Sequence, residues 1–328
     1  MDETIAWLLE GPPWVQYRTR LDLLGQPEGD PQVQAARQAM IAAPQIQGLL
    51  AELAAWPGPI LKRHNDATHP LHKLTFIADL GFRAGDPGIN QLTERILDHR
   101  SPEGPFQVLV NINPRYGGTG ADQWAWMLCD APLIVHGLLK LGLREDPRVQ
   151  VATQHLVSLI RDNGWPCAVT PDLGKFRGPG AKADPCPYAN LVMLKALSQM
   201  PELRDQEAAH IGAETLLTLW EQRRERRPYM FAMGSTFSKL KAPLIWYDIL
   251  HVVEVLTQFS WLGEDARLPE MVELVKAKAD EEGRFTAESV WMAWKGWDFG
   301  QKREPSRWLT LLIRRMLRRV GMERVSSR

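Results

Sequence analysis

Three glycines set the frame for this chain. Gly104, Gly164 and Gly283 each close the same succession of elements, and each is followed within two positions by an aromatic residue: Phe106, Trp165 and Phe285. Around Gly164 the pattern is clearest. Residues 133–143 are apolar on almost every side and break at Gly142; Glu145-Asp146-Pro147 restarts a helix with proline in its first turn. Val149, Ala152, Leu156 and Leu159 follow at helical spacing, and Asp162-Asn163-Gly164-Trp165 closes the unit. The same order runs through 74–80, Gly81, Gly85-Asp86-Pro87 and Ile89 to Leu97. It recurs through 249–262, Gly263-Glu264-Asp265 and Met271 to Val275. Residues 191–200 and 211–220 form a pair that lacks the closing turn, 14–40 read as a diverged first copy, and 308–317 supply a last apolar helix without a partner.

The glycine separations are 60 and 119 residues, one period and two. Helical repeats of the tetratricopeptide, HEAT and armadillo kinds run about 34 to 47 residues, too short for this chain. A helix apolar on every side must be covered on every side. The simplest arrangement puts the apolar helices in an inner ring and the amphipathic ones in an outer ring. The fold class expected is therefore all-α, an α/α toroid with a period near 60 residues. No alternating strand pattern of useful length is visible. The repeat runs through the whole chain, so a single domain over 1–328 is expected: a diverged repeat at 1–60, repeats with long mouth loops at 61–304, and a closing helix with a basic tail at 305–328.

Lys+Arg and Asp+Glu both number 39, and the resulting zero net charge argues against nucleic acid or an anionic membrane surface as the main partner. No secretory leader or transmembrane span is read from the sequence. Three cysteines in 328 residues form no disulfide framework and suit a reducing, cytoplasmic setting.

The glycine-aromatic turns resemble the QW-type turns of terpenoid cyclases, and the helical grammar is similar to that of the protein prenyltransferase β subunits. Trp7-Leu8-Leu9-Glu10-Gly11, the stretch from Tyr17 to Gly25, and Pro305-Ser306-Arg307-Trp308-Leu309-Thr310-Leu311 resemble bacterial squalene-cyclase-like or prenyltransferase-like proteins. The resemblance implies the toroid and a pocket for an isoprenoid-like lipophilic molecule. The Asp-x-Asp-Asp acid of squalene–hopene cyclases is missing, as are the diphosphate-binding carboxylate motifs of ionising terpene synthases. Protein prenyltransferases hold zinc with an Asp-x-Cys pair and a later histidine. Asp184-Pro185-Cys186 has the first form, whereas one period on stands Asp248, with His251 a turn further.

Aligning the repeats brings Thr68, Cys129, Cys186 and Asp248 to equivalent places, 61, 57 and 62 residues apart, each at the start of an apolar helix. Cys167 lies just past the Gly164-Trp165 turn, in the loop that feeds the next such helix. In a toroid these starts ring one mouth of the cavity. Thiolates with one carboxylate suit zinc, which takes four tetrahedral ligands. The expected metal set is Cys129, Cys167, Cys186 and Asp248, with Asp184, His251 and His69 in reserve. The alternative is three small buried hydrophobes.

Trp124, Trp126, Tyr188, Trp246, Tyr247 and Trp308 stand at or near helix starts and are expected to line the pocket, or else to pack between helices. Two long Gly/Pro-rich loops, 107–123 and 166–187, carry Arg115, Lys175, Arg177 and Lys182, which suit the anionic head of a ligand or form a solvated surface. The C-terminal Arg314, Arg315, Arg318 and Arg319 read as a solvated helix face or a patch for an acidic partner. The expected function is a cyclase- or prenyltransferase-like protein that binds or transforms a lipophilic small molecule by metal-assisted or acid chemistry. The alternatives are a non-catalytic scaffold and a carbohydrate-active (α/α)6 barrel with paired carboxylates.

Overall fold

The computed structural model of the chain describes residues 2–322 with the exception of Arg177, Pro179, Gly180 and Tyr229. Arg177, expected in the anion-binding set, and the basic tail from 323 on thus lie outside the described residues. In chain order the helices are α1 (Glu3–Leu9), α2 (Pro13–Asp22), α3 (Pro31–Ala42), α4 (Pro44–Leu53), α5 (Pro70–Leu80), α6 (Ile89–Asp98), α7 (Ala131–Lys140), α8 (Pro147–Ser158), α9 (Pro187–Leu197), α10 (Pro201–Arg204), α11 (Glu207–Glu221), α12 (Ile249–Leu256), α13 (Arg267–Lys276) and α14 (Arg307–Arg319).

The protein is helix-rich, as the repeat implies, but not strictly all-α. Strands β1 (Val108–Asn111) and β2 (Asp122–Ala125) pair antiparallel, with Val108 opposite Ala125 and Asn111 opposite Asp122. Val108 and Val110 are buried while Leu109 and Asn111 are half-buried. An alternation over four residues is too short to stand out in a loop rich in Gly and Pro.

The chain forms two compact units, Met1–Leu49 with Gly234–Arg328, and Leu50–Met233. In the second unit α7 packs against both α5 and α9, α11 packs on α9 and α8 on α7. Every residue of α9 is buried, at roughly 1.5–3 kcal/mol for each large aliphatic side chain. The amphipathic helices turn one face inward: Ile89, Leu92, Thr93, Ile96 and Leu97 on α6, Val149, Ala152, Thr153 and Leu156 on α8. Proline opens α5, α8 and α9 in the first turn, where its missing N–H costs nothing.

Three of the apolar helices are joined by one charge cluster, half-buried at Asp79 and Lys140 and buried at His136 and Lys195. Asp79 of α5 meets Lys140 of α7 at 2.8 Å, Lys195 of α9 at 4.0 Å and His136 Nε2 of α7 at 3.4 Å. Burial would raise the Asp79 pKa, but Lys140 and Lys195 outweigh it and hold the carboxyl well below its usual range. His136 donates its Nδ1–H to the Lys195 carbonyl (3.0 Å) and stays neutral, its pKa driven by burial down to about 4.

The closing glycines adopt the conformation their place in the repeat requires: φ is +116° at Gly104, +111° at Gly164 and +71° at Gly283. Gly164 is also sterically fixed. A Cβ there would stand 2.4 Å from Thr215 Oγ1 and 2.7 Å from Asn190 Oδ1. Asn190, fully buried in α9, accepts from the Trp165 N–H (3.0 Å) and donates to the Trp165 and Cys186 carbonyls (3.0 and 2.8 Å). Gly164→Ala is expected to cost at least about 2 kcal/mol, from backbone strain plus displacement of this amide. A urea midpoint unchanged from wild type would remove Gly164 as the fixed point of the turn.

In the first unit α14 packs on α1, α2, α12 and α13. Its arginines do not form the solvated face expected from their spacing. Arg315 and Arg319 both engage Glu254 of α12, the first at 2.7 Å, and Arg318 donates to the Asp22 carbonyl at 2.8 Å. Burial would raise the Glu254 pKa, but the two guanidiniums outweigh it and lower it. A helix whose charged face meets a buried carboxylate looks in sequence the same as one whose charged face meets water.

Candidate thiol site

The aligned helix starts hold chemistry-bearing residues, one position later than expected in two cases. The residues that open α5, α7, α9 and α12 are His69, Asp130, Cys186 and Asp248, with Thr68 and Cys129 one residue ahead. The backbone then explains why all three cysteines gather in the Leu50–Met233 unit. Residues 165–170 lie as an extended strap between the lead-in to α7 and the lead-in to α9. On one side the Leu128 N–H donates to the Ala168 carbonyl and the Thr170 N–H to the Trp126 carbonyl, both at 2.9 Å; on the other the Cys186 N–H donates to the Trp165 carbonyl at 2.8 Å. Cys129, Cys167 and Cys186 are carried by these three neighbouring segments.

Cys129 is buried and donates a hydrogen bond to Cys186. That bond is the main reason the two thiols part in acidity. It stabilises the Cys186 thiolate, which burial alone would disfavour, and the N–H groups of Ala189 and Tyr188 at the start of α9 and the charge of His64 act in the same sense. The Cys186 pKa falls to about 7. Cys129, as donor and in a buried place, is pushed well above the ordinary thiol range. Cys167 is half-buried, and its sulfur accepts the Gly178 N–H at 2.9 Å.

Two residues not singled out from the sequence complete the site. Asp130 is buried and makes no capping bond to α7; instead its two oxygens lie 2.9 and 3.1 Å from His64 Nδ1. A carboxylate accepts only, so the proton sits on Nδ1, and Nε2 is left for other work. Burial would lower the His64 pKa, but Asp130 and then the Cys186 charge raise it above its ordinary value. The His64 carbonyl accepts the Nε2–H of buried His72 at 2.8 Å, which anchors the loop ahead of α5. The available signal was Asp130 itself, an acidic residue beside a ring cysteine at a helix start; nothing local marks His64.

The other residues expected in the metal set hold partners of their own. Asp248 belongs to the first unit, where it caps α12 by accepting the His251 N–H at 3.0 Å, and His251 Nδ1–H donates to the Trp246 carbonyl at 2.9 Å. His69 spends both ring nitrogens on the backbone, accepting from Leu71 N–H and donating to the Pro59 carbonyl. Asp184 is exposed and lies 3.8 Å from Arg226. Among the described residues no three His, Cys, Asp or Glu side chains form a group that could hold a metal ion. No step below is routed through a metal. Trp124 sits in β2 and stacks on His99 at 3.6 Å; Trp126, Tyr188, Tyr247 and Trp308 are buried, and Trp246 is half-buried. These aromatics are divided between the two units. Arg115 is exposed on a 3-10 turn.

A cleft of about 620 Å³ opens beside Cys186 and Cys167. Its wall carries Arg161, Lys175, Lys182, Arg226 and Arg227 against the two acids Asp184 and Glu225. Lys175 and Lys182 line this cleft together with Cys167 and Cys186.

No family model and no curated protein matches the chain. Among solved structures, a protein from Actinoplanes is similar over 94% of this chain and 90% of its own, at 14% identity and a TM-score of 0.41.

Proposed function

We propose that the chain is a thiol-dependent acyl-transfer enzyme acting on a substrate that carries an anionic group. The observation that carries this reading is the His64–Asp130 pair, whose imidazole interacts electrostatically with Cys186, at a helix start in the wall of a cationic cleft. The Cys186 thiolate attacks the acyl carbon, and the carbonyl electron pair moves to oxygen. The pair then returns, the bond to the leaving group breaks, and His64, oriented through Nδ1 by Asp130, delivers a proton from Nε2 to the departing group, leaving a thioester on Cys186. Water or a second acceptor then attacks the thioester, giving its proton to His64 and returning Cys186 as thiolate. Arg161, Lys175 and Lys182 in the cleft wall favour a carboxylate or phosphate on the substrate. Phe176, Leu219 and Phe231 share the wall with these charges, and nothing in it selects the isoprenoid-like ligand expected from the sequence.

The α/α toroid belongs to the same reading. It is supported by the side-by-side packing of α5, α7 and α9 with functional residues at successive helix starts, and by the return of α14 onto α1 and α2.

The test uses the reduced full-length chain and p-nitrophenyl acetate. A burst of p-nitrophenolate close to one per chain is expected, absent in Cys186→Ala. His64→Ala should slow the burst by roughly 100-fold or more. A burst that survives Cys186→Ala, or no burst from the wild-type chain, rejects the reading.

A further inference from the structure

We infer that Cys186 and Cys129 form a peroxide-reactive dithiol that closes to a disulfide, with Cys186 as the sulfur oxidised first and Cys129 as the one that resolves it. Three observations converge on this assignment. The strap 165–170 is hydrogen-bonded to the lead-ins of both α7 and α9, which carry Cys129 and Cys186, and the two thiols act on each other as hydrogen-bond partners. Cys186 contributes to the wall of the 620 Å³ cleft, whereas Cys129 is not part of that wall and is buried. A small hydroperoxide entering the cleft therefore reaches one sulfur of the pair. The N–H groups at the start of α9 and the His64 charge favour the thiolate there, the reactive form.

The steps balance. The Cys186 thiolate attacks the nearer oxygen of the hydroperoxide; the O–O bond breaks, and the distal oxygen leaves as hydroxide or alkoxide, taking a proton from His64 or water. Cys186 is now a sulfenic acid, two electrons oxidised, and the peroxide is reduced by two. The Cys129 sulfur then attacks the Cys186 sulfur, an S–S bond forms, and the sulfenic oxygen departs as water with the Cys129 proton. A thiol reductant reverses the result. Cys167 is the competing partner, since it lines the same cleft and its charge acts on Cys129. However, its sulfur is turned to the Gly178 N–H.

This dithiol shares Cys186 with the proposed acyl transfer but needs neither substrate nor base catalysis, so the two stand or fall separately. A chain that closes the disulfide yet gives no burst rejects the acyl-transfer reading alone, and a chain that gives a burst yet ignores peroxide rejects the dithiol alone.

The experiment treats the reduced full-length protein with hydrogen peroxide and reads free thiols, intact mass and peptide cross-links. Of the three thiols, two should disappear, with a mass loss of about 2 Da that a dithiol reductant restores. Peptide mapping should join Cys129 to Cys186. Oxidation should run roughly 100-fold more slowly at pH 5 than at pH 8, following the thiolate fraction of Cys186. In Cys129→Ser the reaction should stop at the sulfenic acid and yield a dimedone adduct on Cys186, which reports the first step even where the disulfide cannot form. Cys167→Ser should behave as wild type. Three thiols left intact under peroxide, a cross-link through Cys167, or a dimedone adduct on Cys167 instead of Cys186 overturns the assignment.

Discussion

Acidifying the protein from pH 7 to pH 4 is expected to remove roughly 6 kcal/mol of stability from the Leu50–Met233 unit. The cause is a pair of neutral, buried imidazoles. His72 and His136 are 1% and 2% exposed, and burial lowers both pKa values to about 4. In the unfolded chain each titrates near 6.5, so between pH 6.5 and 4 the unfolded state binds more protons than the folded one. Stability from these groups is present in full above 6.5 and is lost as the pH falls through their folded values, at roughly 3 kcal/mol each by pH 4. Their surroundings set the balance. His72 faces His69, Asp130 and Lys195, while His136 faces Asp79, Lys195 and Lys140. His69 is also lowered by burial and adds in the same sense. His64 opposes them: its folded pKa is raised, so its contribution is complete below its unfolded value and is lost as the pH rises through its folded one. Urea titrations followed by tryptophan fluorescence should show the midpoint falling steeply from pH 6.5 to 4. A midpoint level across that range would mean that the two rings are protonated or solvated in the folded state.

Replacing Asp79 with Asn should destabilise the same unit by about 3–5 kcal/mol. The carboxylate is the shared counter-charge of Lys140 and Lys195, and Lys195 is 4% exposed. An uncharged amide leaves two ammonium groups facing each other, one of them deep in the interior between α7 and α9. It also withdraws the hydrogen-bond acceptor and negative charge that favour protonated His136, so the imidazole should titrate lower still. The loss comes from stranding the partners more than from the worth of the ion pairs. Asp79→Leu combined with Lys195→Met should therefore recover much of the stability that Asp79→Asn forfeits. Thermal melts of the single and double variants decide this. A single variant within about 1 kcal/mol of wild type would place the Lys195 ammonium in contact with water.

The helices and the turns between them were legible because they are written in local terms. Residues 133–143 announce α7 by being apolar throughout, Asp146-Pro147 announces the start of α8, and Gly164 announces a turn only a residue without a side chain can make. The gathering of the cysteines was legible through the repeat, which places Cys129 and Cys186 at matching helix starts although 57 residues separate them. What escaped is what depends on side-chain direction. Asp130 could have capped its own helix, as Asp146 and Asp248 cap theirs, and only the fold turns it to His64 instead. The arginines of α14 have the spacing of a solvated face, and only the position of Glu254 on a neighbouring helix gives them a different task. The short β1–β2 ribbon was hidden for another reason: four residues carry too few alternations to be told from an irregular loop.

The openings of α5, α7, α9 and α12 have a consequence for how such a chain can change over time. The same structural slot accepts an imidazole at His69, a carboxylate at Asp130 and Asp248, and a thiol at Cys186, while the apolar helix behind each one stays whole. An arrangement of this kind separates the groups that react from the groups that hold them. New reactivity can be tried at one address, with the rest of the scaffold untouched, for about 1 kcal/mol of helix-capping energy.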